Sequence, residues 1–126
     1  AIYNATGKHP AYARPPRGMY DQRFRRLAGL CGVPVILWSL SAQDWMERVT
    51  SRHIVKRIVG KIRPGDIVLF HDGGALIRSQ GACRQATVEA LPLIIRSLRK
   101  KGYDIVSLRE LLQLISIQEE ELPASS

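Results

Sequence analysis

Ile67-Val68-Leu69-Phe70-His71-Asp72 is a short apolar run that ends on two polar, titratable side chains. Apolar residues in succession, without polar alternation, suit a strand covered on both faces, as the strands of parallel sheets are. In parallel βα architectures the groups that act on ligands stand just beyond the carboxyl ends of the strands. His71 and Asp72 therefore fall where chemistry is expected, at positions that packing does not require.

The same signature lies upstream in Pro34-Val35-Ile36-Leu37-Trp38, and a helix separates the two runs. Ile54, Val55, Ile58, Val59 and Ile62 make its apolar stripe, with Thr50 or Ser51 as N-cap and Pro64-Gly65 as its end. Before the first run, Phe24, Leu27, Ala28 and Cys31 repeat at helical spacing between an Asp21 N-cap and a Gly32 stop. After the second run comes a Gly-rich loop (Gly73, Gly74, Gly81), then a helix carrying Val88, Leu91, Ile94, Ile95 and Leu98. Pro92 is expected near the start of that helix or at a kink in it. Gly102 ends it, Asp104-Ile105-Val106 reads as a short strand, and Ser107-Leu108-Arg109-Glu110 is a capping box opening a last helix with Leu111, Leu112 and Ile115. Residues 118–126 are acidic and small and are expected to form a disordered tail, which leaves 1–117 as one domain.

Strand and helix alternating in units of roughly 30 residues is the rhythm of a parallel sheet. With a short strand at Ala11 to Arg14, the chain holds about four βα units, the content of half a (β/α) barrel. Half a barrel leaves strand edges and an apolar face uncovered, so the chain alone is expected to be poorly packed. A small flavodoxin-like sheet is the alternative architecture. The sequence enters patterned structure directly from Ala1, with no charged-then-apolar leader, and is expected to have been cut from a longer chain.

Nineteen Lys and Arg against eleven Asp and Glu give a net charge of +8. The basic residues are scattered over Arg23–Arg26, Arg52–Arg63 and Arg96–Lys101, mostly on expected solvent faces, which favours a solvated surface over a dedicated polyanion site. Aromatics make up 6% of the chain and do not interleave with the basic stretches, which argues against a nucleic-acid partner. No apolar run approaches the ~20 residues of a membrane span. Two cysteines, Cys31 and Cys83, support neither a disulfide framework nor a zinc knuckle.

Three segments follow strands and carry special residues: Arg14-Pro15-Pro16-Arg17-Gly18, Ser41 to Trp45, and His71-Asp72. Each alone has a structural explanation. The prolines and glycine make a rigid turn, and Asp44-Trp45 reads as a helix N-cap over a packed aromatic. His71 is the hardest to dismiss, because imidazole titrates near neutrality. His53 sits on a basic helix face and His9 in a turn before Pro10, and neither is expected to be a ligand.

Taken in order, the three segments resemble the motifs of the NodB-type polysaccharide deacetylases. Thr6 through Gly18 is similar to the stretch holding their third motif, R-x-P-Y-G; Trp38-Ser39-Leu40-Ser41-Ala42-Gln43-Asp44-Trp45 is similar to the fourth, D-x-x-D-W; and Ile67 to Asp72 resembles the fifth, L-x-H followed by Asp. Gly102 to Leu108 is similar to the end of that domain, so the likeness runs from Ile2 to about Ile115. Two positions depart: Arg17 replaces the motif-three Tyr, and Ser41 replaces the first Asp of motif four. The family's first motif, T-F-D-D, and its second, H-S/T-x-x-H, are absent, and no H-x-x-x-H occurs in the chain.

The resemblance implies a partial (β/α) barrel of the NodB type, its carboxyl-terminal half, whose missing partner is the amino-terminal half of the same barrel. It implies hydrolysis of N-acetyl groups on a polysaccharide such as chitin or peptidoglycan, with the choice among these, another N-acetylated glycan and a small cyclic amide left open. In the complete domain a divalent metal, zinc by family habit, would polarise the carbonyl and activate water, with its ligands absent from this chain. His71 resembles the general acid that protonates the departing amine, Asp44 the carboxylate that orients it, and Arg14 the arginine that positions the upstream base. The backbone N–H at Arg17 would hold the oxyanion, while its side chain alters the cleft wall, and Trp45 and Leu69 would line the acetyl pocket. An extracytoplasmic or cell-wall setting follows from the same resemblance. The competing expectation is a non-catalytic carbohydrate-binding or regulatory remnant of the family.

Overall fold

The computed structural model describes residues 1–73 and 84–121, with side chains described as far as 116; Gly74, Gly81 and Cys83, and residues 122–126 of the expected tail, lie outside the described residues. The chain divides into two compact units, Ala1–Leu37 and a second beginning at Trp38.

In the first unit, α1 (Ile2–Thr6) is one exposed turn closed by Gly7, whose φ of 68° lets its N–H reach the Tyr3 carbonyl at 2.7 Å. The expected strands at Ala11–Arg14 and Pro34–Trp38 meet only in an isolated parallel bridge, Ala13 to Val35. Its bonds run from Ala13 N–H to Pro34 O and from Ile36 N–H to Ala13 O, both at 2.9 Å. Pro16–Gly18 forms a single 3-10 turn with Arg17 in left-handed backbone, φ 58°. Helix α2 (Gln22–Leu30) starts where expected, with the Asp21 carboxylate accepting from Phe24 N–H at 2.8 Å. Its apolar stripe is only partly covered: Phe24 and Ala28 are half-buried, and Leu27 is 59% exposed.

The second unit holds the core. Its parallel pair joins β1 (Leu40–Ser41) to β2 (Val68–Leu69) in the register Leu40 to Val68 and Ser41 to Leu69. Ser39 and Leu40 N–H groups both donate to Ile67 O, and Ala42 N–H to Leu69 O at 3.0 Å. Helices α3 (Ser51–Lys61) and α4 (Gln85–Lys100) pack on each other over Leu40, Ala42, Ile54, Ile58, Ala90, Ile94 and Leu98. Ile54 and Ile58 are wholly buried, each contributing roughly 1.5–3 kcal/mol of burial free energy. Thr50 caps α3, as the sequence predicts. At the other end Lys101 Nζ donates to Val59 O at 2.8 Å and Tyr103 OH to Ile62 O at 3.3 Å, satisfying carbonyls that the helix end leaves open. The Ser107–Glu110 capping box forms, opening α5 (Leu108–Glu121).

Several sequence expectations need correction. Ile67–Phe70 is only half-buried and pairs over two residues, and among the described residues each strand has a single neighbour rather than two. Asp104-Ile105-Val106 pairs with nothing among the described residues, and Ile105 is 53% exposed. Helix α4 buries Thr87, Ala90, Ile94 and Leu98, which leaves Val88 and Ile95 outward. Pro92 lies well inside α4 on its exposed face. The carbonyl that its ring deprives of a donor belongs to Val88, where solvent can satisfy it. Among the described residues no helix is long and apolar enough to cross a membrane. Cys31 is a free, exposed thiol.

Candidate active site

Because β1 and β2 run parallel and in register, the segments that follow them leave the sheet at the same edge. Asp44 comes three residues after Ser41 and His71 two after Leu69. The turn that carries Asp44 uses left-handed backbone at Gln43, φ 56°. Gln43 N–H donates to Ser41 Oγ at 3.2 Å, and Arg57 Nε, from α3, donates to Ser41 O at 2.8 Å. A short oxygen acceptor at position 41 is what this turn needs, and the serine hydroxyl supplies it in place of a carboxylate.

Asp44 is 1% exposed. It caps no helix; its carboxylate accepts three hydrogen bonds from elsewhere in the unit. His71 N–H donates to Oδ2 at 2.8 Å, His71 Nδ1 lies 2.8 Å from Oδ1, and Thr87 Oγ donates to Oδ2 at 3.0 Å. Arg84 Nη1 donates to the Asp44 backbone carbonyl at 3.0 Å. Burial alone would push the Asp44 carboxyl up, but the bonds from the His71 ring, the His71 backbone and Thr87, together with attraction to the ring, hold it below the ordinary carboxylate value. An ionised carboxylate only accepts, so the proton between the pair sits on His71 Nδ1, and Nε2 is the ring atom left for other chemistry. The His71 side chain is one-third exposed.

Trp45, beside Asp44, is 39% exposed, and Leu69 is half-buried in β2. Arg14 and Arg17 belong to the first unit. Arg14 donates through Nε to Ile36 O at 3.1 Å and through Nη2 to Leu37 O at 3.0 Å, and Arg17 is exposed in its 3-10 turn. Sequence reasoning missed Thr87 and Arg84. The signal for Thr87 was a hydroxyl on an otherwise apolar stripe, in step with Ala90, Ile94 and Leu98.

The residues at hand do not fit a metal. Among the described residues no group of three or more His, Cys, Asp and Glu stands together, and both Asp44 oxygens are already engaged.

No protein-family model matches the chain. It is 36% identical over 108 residues to the peptidoglycan-N-acetylglucosamine deacetylase of Bacillus cereus, covering 84% of this chain and 47% of that protein. To a chitooligosaccharide deacetylase of Bradyrhizobium it is 32% identical over 106 residues, covering 81% and 48% respectively. A solved pseudoenzyme of the CE4 family from Bacillus anthracis superposes with a TM-score of 0.71 at 29% identity, covering 88% of this chain and 35% of that one. The chain spans about half the length of the curated relatives it matches. Motif order, sequence identity and backbone likeness agree, and the chain belongs to the NodB-type, CE4-family polysaccharide deacetylases.

Proposed function

We propose that this chain supplies the general-acid side of a polysaccharide deacetylase that hydrolyses N-acetyl groups on a glycan such as peptidoglycan or chitin. The observation that carries the reading is the double contact of Asp44 with His71, backbone and ring on one carboxylate. That grip fixes the imidazole and keeps the proton on its Nδ1 turned toward Asp44, so that the imidazolium form donates from Nε2. From Nε2 the proton passes to the nitrogen of the departing sugar amine as its bond to the acetyl carbon breaks. The products are acetate and a glycan bearing a free amine. Arg14 would position the base carboxylate, the Arg17 backbone N–H would face the oxyanion, and Trp45 and Leu69 would line the pocket for the acetyl methyl, a small apolar group. The family is metal-dependent in general; we assign the metal, zinc by expectation, to ligands outside this chain.

Residues 1–117 are read as the carboxyl-terminal half of a NodB-like (β/α) barrel, with its amino-terminal half as the structural partner and an N-acetylated wall polymer as substrate. A wall polymer as substrate supports an extracytoplasmic or cell-wall-associated reading for the working enzyme. Parallel pairing in the order strand, helix, strand supports the barrel reading.

The test is acetate release from N-acetylated chitooligosaccharides and from peptidoglycan by the protein expressed with all residues encoded upstream of Ala1. Release that is abolished by a chelator and falls at least a hundredfold in His71→Ala supports the proposal. Full activity in His71→Ala would remove the assigned acid. Glycan binding without any release would favour the non-catalytic remnant.

A further inference from the structure

The Asp44 carboxylate is planar, and three donors meet it: the His71 N–H and the Thr87 hydroxyl on Oδ2, and the His71 ring on Oδ1. The two donors on Oδ2 come from separate elements, the segment after β2 and the first turn of α4. Hydrogen bonds to carboxylate oxygens prefer the carboxylate plane. Two donors converging on one oxygen from different directions fix the rotation of that plane about Cβ–Cγ, and with it the direction in which Oδ1 faces. Thr87 is 5% exposed and sits where α4 otherwise turns Ala90, Ile94 and Leu98 to the core. Packing alone would be served there by valine, which has the same shape without the hydroxyl. Arg84, in the same turn, donates to the Asp44 carbonyl, so α4 engages both the backbone and the side chain of that residue.

We infer that Thr87 is a positioning residue: its hydroxyl sets the Asp44 carboxylate plane so that Oδ1 faces His71 Nδ1, which holds the ring in the tautomer that leaves Nε2 for the substrate. This rests on the reading of Asp44 and His71 as a working pair. It adds a third member, delivered by a helix that none of the strand-end segments includes.

The experiment follows the ring nitrogens of His71 by NMR in the protein expressed with all residues encoded upstream of Ala1, labelled with nitrogen-15, at a pH where the imidazole is neutral. An unconstrained histidine side chain favours the Nε2–H form, so a dominant Nδ1–H form reports the carboxylate. Wild type and Thr87→Ser are expected to hold His71 mainly as Nδ1–H. Thr87→Val is expected to shift the population toward Nε2–H by at least twofold, with the helical circular dichroism unchanged. Thr87→Ala, which adds no atoms to the core, gives the same readout if the valine variant does not fold. Asp44→Ala separates the two levels of the argument. If it shifts the tautomer while Thr87→Val and Thr87→Ala do not, Thr87 is a satisfied core hydroxyl and the inference falls alone. If Asp44→Ala leaves the tautomer unchanged, the pair itself fails, and the inference with it.

Discussion

His71 meets Asp44 twice, through its backbone N–H on Oδ2 and its ring Nδ1 on Oδ1, each at 2.8 Å. A ring held only by its own side-chain bond can swing with the carboxylate; a ring whose main chain is bonded to the same carboxylate cannot. All three groups around Asp44 donate, so the site requires two accepting oxygens there. An asparagine would turn an NH2 toward a donor.

Asp44→Asn is accordingly expected to lower kcat of the complete enzyme by roughly tenfold or more with little change in KM, because the amide cannot accept from all three donors and the ring loses its fixed orientation. Steady-state kinetics on N-acetylated chitooligosaccharides checks this, and an unchanged kcat would separate Asp44 from the proton transfer.

The lowered Asp44 titration also sets an acid limit on stability. A carboxyl held below its unfolded value adds stability that is fully present above the ordinary carboxylate range and is lost as pH falls through the folded value. Thermal unfolding over a series of acidic pH values should show the gap between wild type and Asp44→Asn closing as pH drops. A gap independent of pH would mean that Asp44 acts by packing alone.

Ser41 accepts from Gln43 N–H across the turn. Ser41→Asp keeps an oxygen at that place and should shift stability by less than ~0.5 kcal/mol, whereas Ser41→Ala should cost ~1 kcal/mol. Urea denaturation of both variants tests the comparison, and equal losses would remove the turn bond from the account.

The core of the second unit is small, and Ile58 is wholly buried between α3 and α4. Ile58→Ala is expected to cost ~2–5 kcal/mol, and Thr50→Ala, which removes the α3 cap, ~1 kcal/mol. Denaturant midpoints should rank wild type above Thr50→Ala above Ile58→Ala.

Helices were legible because their signals are local. Asp21, Thr50 and the Ser107–Glu110 box each bond within three residues, and the structure shows each bond. Strands were less legible, since Val35 or Val68 becomes a strand only through a partner tens of residues away. Apolar composition predicted four or five residues of pairing where one or two form. Asp44 and His71 were found because strand ends concentrate chemistry. Thr87 escaped because a threonine on a buried helix face looks like any β-branched filler until the carboxylate opposite it is known.

The hydrogen bonds that build the pair link residues 27 positions apart, and the Thr87 bond links residues 43 apart. Closing such loops is entropically costly and is rewarded only when both ends have partners. The His71 ring environment can therefore form only once β1, β2 and α4 have come together around α3. A resonance from that single ring would time the folding of the whole second unit, and a substitution that delays the docking of α4 would be heard first as silence at His71.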